Sequence, residues 1–241
     1  MSGHSKWATI KRKKAATDAK RSKVFTTIIK EITIAAREGG GDAESNPRLR
    51  QAISNAKSAN MPSDNITRAI KKGTGELPGV NYEEGTYEGY GPAGVAIFMD
   101  CLTDNKKRTV AEIRHLITKY GGNLGENGSV AWMFDKKGQI TLNGNDLVED
   151  TVFEAALDAG AEDFEVEGDT FIISTDPGDL MSVRDTLESQ GYEIESATVD
   201  MIPNNLQKVE SDKEPSVLNL LEALEDHDDI KAVYTNFDSE D

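Results

Sequence analysis

The sequence contains one cysteine, Cys101, which excludes an intrachain disulfide and a cysteine-rich zinc site. Long apolar runs are also missing: the longest runs, such as Val95 to Met99, have five residues, whereas a membrane-spanning helix needs about 20. The first residues hold no apolar stretch of the kind that a secretory signal requires. These absences exclude a disulfide scaffold and a helical membrane protein, and we expect a cytosolic protein.

The usual signatures of catalysis and cofactor binding are scarce. The residues Gly89 to Gly94 fit the letters G-x-G-x-x-G, but they precede an apolar run, whereas the dinucleotide-binding version follows a strand and opens a helix. The chain carries no Walker sequence, and its three histidines, His4, His115 and His227, lie more than 100 residues apart. The acidic stretch from Asp226 to Asp229 is typical of a solvated helix end. We therefore expect a protein that is not an enzyme, binds no cofactor or metal and has no small-molecule substrate.

Negative charge dominates the composition, with 43 Asp and Glu against 27 Lys and Arg, but it is unevenly distributed. Residues 1–75 carry 16 basic and 6 acidic side chains, a net charge of +10, whereas residues 76–241 carry 11 basic and 37 acidic ones, a net charge of −26. Charges in water are screened over about 8 Å at physiological salt, so a distant acidic domain does not cancel a basic surface. The basic N-terminal part favours a polyanionic partner, and the acidic remainder disfavours indiscriminate binding.

The N-terminal part is predicted to form a three-helix bundle behind a polar arm. Apolar residues at three-and-four spacing predict a helix from Val24 to the glycines at 39–41. Asn46, followed by a proline, starts a second helix, and Ser63 can cap a third. Residues 1–22 are too polar to form a core, and we expect a mobile or weakly helical arm there.

Strand and helix patterns alternate in the remainder of the chain. Residues 138–202 have the order strand-helix-strand-strand-helix-strand, which is the ferredoxin-like arrangement. The C-terminal helix and strand cannot bury themselves, so we expect them to complete the sheet begun at residues 82–134. Other predicted elements are strands at Gly94–Met99, Ser129–Phe134 and Lys231–Thr235 and a helix at Val110–Lys119.

The predicted fold class is α+β, with an N-terminal three-helix bundle and basic arm followed by two α/β domains, the ferredoxin-like one inserted in the other. The predicted domains are a basic all-α domain at residues 1–75, a discontinuous α/β domain at 76–135 plus 204–241, and the ferredoxin-like insertion at 136–203.

Exposed Lys and Arg side chains bind phosphate, and most candidates lie in the first 75 residues. Trp7 has two interpretations: it packs the arm onto the bundle, or it stacks on an exposed base. A second basic cluster precedes the helix predicted at Val110. It is either a phosphate site at a helix N-terminus or an ordinary helix start capped by Thr109 or Asp104. The candidate nucleic-acid-binding residues are Lys6, Trp7, Lys11, Arg12, Lys13, Lys14, Lys20, Arg21, Lys23, Lys30, Arg37, Arg48, Arg50, Arg68, Lys71 and Lys72. The second basic loop contains Lys106, Lys107 and Arg108.

Short motifs spread over nearly the whole chain resemble the YebC-type family. They include Gly3-His4-Ser5-Lys6-Trp7, Ala59-Asn60-Met61-Pro62, Thr103-Asp104-Asn105 and Gly128-Ser129-Val130-Ala131-Trp132-Met133-Phe134. The resemblance implies a helical first domain followed by two α/β domains, the last inserted in the second. It also implies a regulatory role, since members are described as transcriptional regulators and, in some cases, as ribosome-associated translation factors.

The leading hypothesis is a non-enzymatic regulator, a monomer or homodimer, that binds nucleic acid through residues 1–75. The resemblance makes DNA the first choice, and the acidic domains are available for protein contacts or dimerisation. The alternative is a ribosome-associated translation factor that binds ribosomal RNA and relieves stalling at difficult sequences, such as proline-rich ones. A protein-interaction scaffold without nucleic-acid affinity is a third hypothesis. No base-reading helix is identifiable, so the sequence predicts no target site.

Overall fold

The computed structural model of the chain describes the backbone of residues 5–14 and 18–240 and the side chains of residues 5–10 and 22–240. Over these residues it contains eight α-helices and ten strands. The helices are α1 (Lys6–Lys14), α2 (Asp18–Gly39), α3 (Pro47–Ser58), α4 (Ser63–Gly73), α5 (Lys106–Lys119), α6 (Glu149–Ala159), α7 (Leu180–Ser189) and α8 (Glu214–Glu225). The strands are β1 (Glu83–Tyr90), β2 (Ala96–Thr103), β3 (Asn123–Leu124), β4 (Phe134–Asn143), β5 (Asp163–Glu167), β6 (Thr170–Thr175), β7 (Ile194–Pro203), β8 (Gln207–Val209), β9 (Ile230–Thr235) and β10 (Phe237–Ser239). Among the helices in these described ranges, none combines the length and apolar character that a bilayer crossing requires.

The chain divides into two compact units. The smaller contains residues 132–206, and the larger contains Lys6–Ala131 together with Gln207–Asp241. The α+β fold class predicted from the sequence is confirmed, with a helical N-terminal region and antiparallel sheets. The division into three domains stays a prediction.

The larger unit combines the helices α1 to α4 with a four-stranded sheet of order β3-β1-β2-β9. β2 is its buried central strand, and α5 and α8 supply the buried side chains that cover it, among them Ile113 and Leu220. The C-terminal strand β9 pairs antiparallel with β2, so that Ile97 faces Thr235. The predicted return of the C-terminal segment to the first sheet is therefore confirmed.

The smaller unit is a four-stranded antiparallel sheet of order β5-β6-β4-β7 with α6 and α7 packed on it. Its core includes Ile140 and Ile173 from the sheet and Val152 and Val183 from the helices. The order of strands and helices is the predicted ferredoxin-like one.

The arm expected at residues 1–22 is in part a helix, α1. Trp7 in its first turn is 3% exposed and belongs to the same buried core as Phe237. Burial of this large side chain orders a segment whose composition is too polar for a core of its own. Residues 1–4 and 15–17 of the predicted arm lie outside the described residues.

The strand predicted at Ser129–Phe134 is wrong except at its last residue, where β4 begins. Glu88 is buried, and its carboxylate accepts hydrogen bonds of 2.7 to 2.8 Å from the backbone N–H groups of Gly128, Val130 and Ala131. A side chain therefore takes the place of a neighbouring strand, and the chain makes a 3₁₀ turn before β4 begins.

The glycine-rich segment and the single cysteine both have structural roles. The glycine-rich segment from Gly89 to Gly94 is a turn into β2, in which the Gly91 N–H donates to the Val95 carbonyl at 2.8 Å. Cys101 lies inside β2, which continues beyond the strand predicted to end at Met99. Burial raises the pKa of the Cys101 thiol to about 12, so the side chain packs as a small hydrophobe and is not an activated nucleophile.

Candidate nucleic-acid interface

The helical bundle is built on small side chains that let α2 approach α4 closely. Ile32 and Ala36 of α2 are buried against the same core as Ala69 of α4. Gly73 lies so near α2 that a Cβ atom there would be 2.5 Å from the carbonyl oxygen of Thr33. This close approach fixes the rotation of α4 about its axis and hence which of its side chains face outward.

Three cations occupy the outward side of α4, and we call Arg68, Lys71 and Lys72 the α4 cationic face. Ile66 and Ala69 are buried on the opposite side of the helix. The three cations are exposed, and their spacing of three and four residues makes them neighbours. Within the described part of the chain, their side chains make neither an ion pair nor a hydrogen bond. They are therefore available to a phosphate.

The cap of α3 was predicted correctly from the sequence, but the cap of α4 was not. Asn46 caps α3 as expected, since its side chain accepts a hydrogen bond of 3.1 Å from the Leu49 N–H. Ser63 does not cap α4: it is the first helical residue, and Pro62 occupies the cap position without a side-chain hydrogen bond. Proline fixes φ at the cap position but has no side-chain oxygen, so the first N–H groups of α4 receive no side-chain cap.

α3 carries two further exposed cations. Arg50, a predicted site residue, donates to the backbone carbonyls of Ala43 and Glu44 at 3.3 and 3.2 Å. Lys57 is exposed near the end of α3 and was not singled out from the sequence, although it has the same type and exposure as the predicted residues. It can add to the positive charge of the bundle.

Arg37 and Arg48, two other predicted phosphate ligands, are used inside the larger unit. Arg48 pairs with Glu31 at 2.8 Å and Glu38 at 2.7 Å, and it also pairs with Glu84. Arg37 donates to the Asn81 side chain and, at 2.7 Å, to the backbone carbonyl of Tyr82. These guanidinium groups stabilise the fold, and the sequence does not reveal this because their hydrogen-bond partners, acidic for Arg48 and neutral for Arg37, are not neighbours in the chain.

Lys30 is predicted to face solvent, but it is 6% exposed. Its ammonium group donates to Asp229 Oδ1 at 3.0 Å and to the backbone carbonyls of Leu102 and Asp228 at 3.0 and 2.9 Å. The prediction is wrong because the side of α2 that helical periodicity assigns to solvent is covered by the α/β part of the same unit. Lys30 is therefore not a phosphate ligand in this conformation.

The predicted residues of the arm divide into two groups. Trp7 is buried in the core, so the ring has no face open to a base, and it packs with the α/β part rather than with the bundle. Lys6 pairs with Glu214 at 3.1 Å and donates to the Ser239 hydroxyl at 2.5 Å. Lys23 is half-buried on α2. The side chains of Lys11, Arg12, Lys13, Lys14, Lys20 and Arg21 lie outside the described ones.

The second basic loop is the first turn of α5. Its cap is Asn105, whose side chain accepts a hydrogen bond of 3.1 Å from the Arg108 N–H, rather than Thr109 or Asp104. The helix therefore begins four residues before the predicted start at Val110.

Ion pairs occupy two of the three cations in this loop. Lys106 pairs with Glu83 at 2.7 Å, and Arg108 pairs with Asp229 at 2.6 Å. Lys107 is exposed and, as far as the described residues extend, has no acidic partner. The helix start therefore offers one open cation to a phosphate instead of the three that the sequence suggests.

Asp229 is the centre of a buried network that sequence reasoning missed. It is 5% exposed, and its carboxylate also accepts from the hydroxyl groups of Thr109 at 2.9 Å and Thr103 at 3.2 Å. Burial by itself would raise the pKa of Asp229, but hydrogen bonds from Arg108, Lys30 and Thr109 outweigh it and lower the pKa to about 2. The expectation of a solvated helix end is wrong here. The available signal was the position of this acid directly before an apolar strand.

A cleft of about 1100 Å³ opens beside this network, between α2, α5 and the segment after α8. Glu112, His227 and Asp229 contribute to its lining and place ligand-type atoms within 4.8 Å of one another. The hydrogen bonds disfavour a metal ion. His227 Nδ1 accepts from the Asp229 N–H at 3.1 Å, so in the neutral ring the hydrogen is on Nε2, which lies 2.9 Å from Glu112 Oε2. A metal needs that nitrogen lone pair, and Asp229 is already neutralised by two cations.

Comparisons with known proteins cover nearly the whole chain. Residues 5–76 match the family model described as the TACO1/YebC protein N-terminal domain, and residues 82–237 match the TACO1/YebC second and third domain. A protein of Desulforapulum autotrophicum named "Probable transcriptional regulatory protein" is 57% identical over 100% of this chain and 98% of its own. A Geobacter sulfurreducens protein with the same descriptive name is 55% identical over 99% and 96%. The crystal structure of a conserved hypothetical protein from Aquifex aeolicus has a TM-score of 0.87 and 44% identity over 95% of this chain and 94% of that one.

Proposed function

Because the chain belongs to the TACO1/YebC family, we propose that it is a non-enzymatic regulator that binds duplex DNA through the α4 cationic face and the basic arm before it. The names of its relatives support a regulatory role. Contacts to phosphate by Lys and Arg supply most of the affinity for a nucleic acid whatever its sequence.

The observation that carries the proposal is the contrast between occupied and open cations. Lys30, Arg48 and Arg108 each contact a carboxylate, as expected in a protein with 43 acidic side chains. The three cations of the α4 cationic face lie side by side and contact none among the described residues. Unpaired neighbouring cations repel one another, and a phosphate backbone relieves that repulsion while releasing its own counterions.

The distribution of charge limits where a nucleic acid can bind. The smaller unit, residues 132–206, carries 18 acidic and 3 basic side chains. Its negative potential repels phosphate over roughly a Debye length of about 8 Å. This confines binding to the basic bundle and keeps the remainder of the chain free for other contacts.

The test replaces the α4 cationic face with neutral side chains of similar length, Arg68→Gln, Lys71→Gln and Lys72→Gln together. Binding of a fluorescent DNA duplex is followed by anisotropy over a series of salt concentrations. For the parent protein we expect log affinity to fall linearly with log salt, with a slope of about 0.9 per phosphate contact. The triple variant should lose about two to three units of that slope.

The matched control replaces one exposed arginine and two exposed lysines that lie outside α4. Its substitutions are Arg114→Gln, Lys136→Gln and Lys208→Gln. It lowers the net charge by the same amount and should leave the slope nearly unchanged. Equal losses in the two variants would mean that total charge, and not this face, governs binding, and the proposal would fail. A parent protein with no affinity at low salt would also refute it.

The same cations would serve on ribosomal RNA, so the assay includes purified ribosomes as a competitor for the labelled duplex. If duplex DNA is the target, ribosomes should displace the protein from the labelled duplex no better than unlabelled DNA of equal phosphate concentration. Displacement at much lower phosphate concentration, lost in the triple variant, would replace DNA with the ribosome.

A further inference from the structure

The helix α6 of the smaller unit leaves large apolar side chains exposed. Phe153 is 42% exposed and Leu157 is 46% exposed, whereas Val152 and Ala156 of the same helix are buried in the core. Phe153 and Leu157 are four residues apart and therefore form a ridge along the outer side of α6. Their exposure is not explained by packing within the described part of this unit.

The neighbouring strand extends this apolar surface. The rings of Phe153 and Phe164 meet edge-on with their centroids 5.7 Å apart, which joins α6 to β5. Val166 points to the same side of β5 as Phe164 and is 42% exposed. β5 is also the edge strand of its sheet, hydrogen-bonded to β6 on one side. We call Phe153, Leu157 and Val166 the α6 surface.

The chain segment that forms the α6 surface is strongly acidic. Residues 138–183 contain 12 Asp and Glu and no Lys or Arg. Glu154 and Asp158 are exposed on α6, each directly after one of the two residues of the ridge. A nucleic acid would be repelled by this rim. A second copy docked through the same surface would place carboxylates opposite carboxylates, which also disfavours a symmetric dimer.

We propose that the α6 surface binds a cationic amphipathic helix of a partner protein. The ridge of residues spaced by four fits between the side chains of another helix. Lys and Arg side chains at the edges of that helix would pair with Glu154 and Asp158, giving an apolar centre with a charged rim. The site uses no residue of the α4 cationic face, so each of the two sites can be tested with its own variants.

The test measures binding of a fluorescent designed peptide of about 18 residues, made of leucine and lysine in an amphipathic helical pattern. We expect the full-length protein to bind it and the variant Phe153→Ala with Leu157→Ala to bind at least about tenfold more weakly. A second variant, Glu154→Gln with Asp158→Gln, keeps the apolar ridge, perturbs the fold least, and should also weaken binding and reduce its salt dependence.

The apolar control is Val148→Ala with Val199→Ala, which removes two exposed apolar side chains that are not part of the α6 surface and should leave affinity within about twofold. The charge control is Glu188→Gln with Glu195→Gln. Circular dichroism confirms that each variant is folded.

Three results would overturn the proposal. Equal binding by the ridge variant and its control would show that the ridge is not used. Equal binding of a scrambled peptide of the same composition would show that binding depends on the charge of the peptide and not on an apolar helix face. Self-association of the parent protein that is lost in the ridge variant would assign the surface to a second copy of the chain.

Discussion

At the scale of single residues, the buried pair Lys30–Asp229 links the helical part of the larger unit to its α/β part. Less than a tenth of either side chain is exposed, and the two are 3.0 Å apart. Removing one partner of a buried ion pair leaves the other charge without compensation, which costs about 3–5 kcal/mol. Surface pairs such as Lys213–Glu210 contribute far less, because water and salt screen them.

We predict that Asp229→Asn lowers the free energy of unfolding by about 3 kcal/mol at neutral pH, since it leaves Lys30 and Arg108 without their carboxylate. Urea denaturation measures the loss. Glu210→Gln, which removes an exposed carboxylate, is the control and should leave the free energy of unfolding nearly unchanged. Similar values for both variants would contradict the role assigned to the buried pair.

The same variant has a defined pH dependence. The pKa of Asp229 is about 2 in the folded chain and about 3.9 when unfolded, so its stabilising effect is present above pH 4 and is lost as the pH falls towards 2. The stability difference between the parent protein and Asp229→Asn should therefore be constant from about pH 7 to 5 and shrink between about pH 4 and 2. A difference that grows on acidification would contradict the direction of the shift.

At the scale of elements, helix periodicity identified α2, α3 and α4 but could not assign all their faces. The stripe that packs within the bundle was predicted correctly, since three-and-four spacing follows from the helix geometry. The second buried side of α2, which holds Lys30, depends on a neighbour far along the chain. The helix α1 is mostly polar and is ordered by the burial of Trp7, with Ile10 packed against the same core.

The two tryptophans test the position of α1 because they differ in exposure, Trp7 at 3% and Trp132 at 70%. In the Trp132→Phe variant the remaining tryptophan is Trp7, and we predict a blue-shifted emission that acrylamide quenches weakly. Trp7→Phe should leave a red-shifted emission that acrylamide quenches strongly, as expected for a ring in water. Equal quenching in the two variants would show that α1 is not docked and would return Trp7 to the role of a base-stacking residue.

At the scale of the whole molecule, residues 132–206 have the properties of an independently folding insertion. Phe134 at the start of β4 pairs with Pro203 at the end of β7, so both ends of the unit lie side by side. Its buried core comes from its own strands and helices. An insertion with adjacent ends and its own core can be separated from the host chain and still fold.

We predict that residues 132–206, expressed alone, unfold cooperatively on heating, as followed by circular dichroism. The fragment should show no affinity for duplex DNA at low salt, because acidic side chains outnumber basic ones by 18 to 3. Non-cooperative melting would show that the unit needs the remainder of the chain, and DNA binding by the fragment would contradict the assignment of affinity to the basic bundle.

The fold class, the ferredoxin-like order and the placement of positive charge in the first 75 residues could be predicted from the amino-acid sequence, because periodicity, turn residues and charge are local properties of a chain. Which cations remain open could be seen only in the folded chain. Lys30, Arg48 and Arg108 meet carboxylates that are distant in sequence, whereas Arg68, Lys71 and Lys72 meet none among the described residues. Ion pairing depends on distances in space, and spacing along the chain carries no information about those partners.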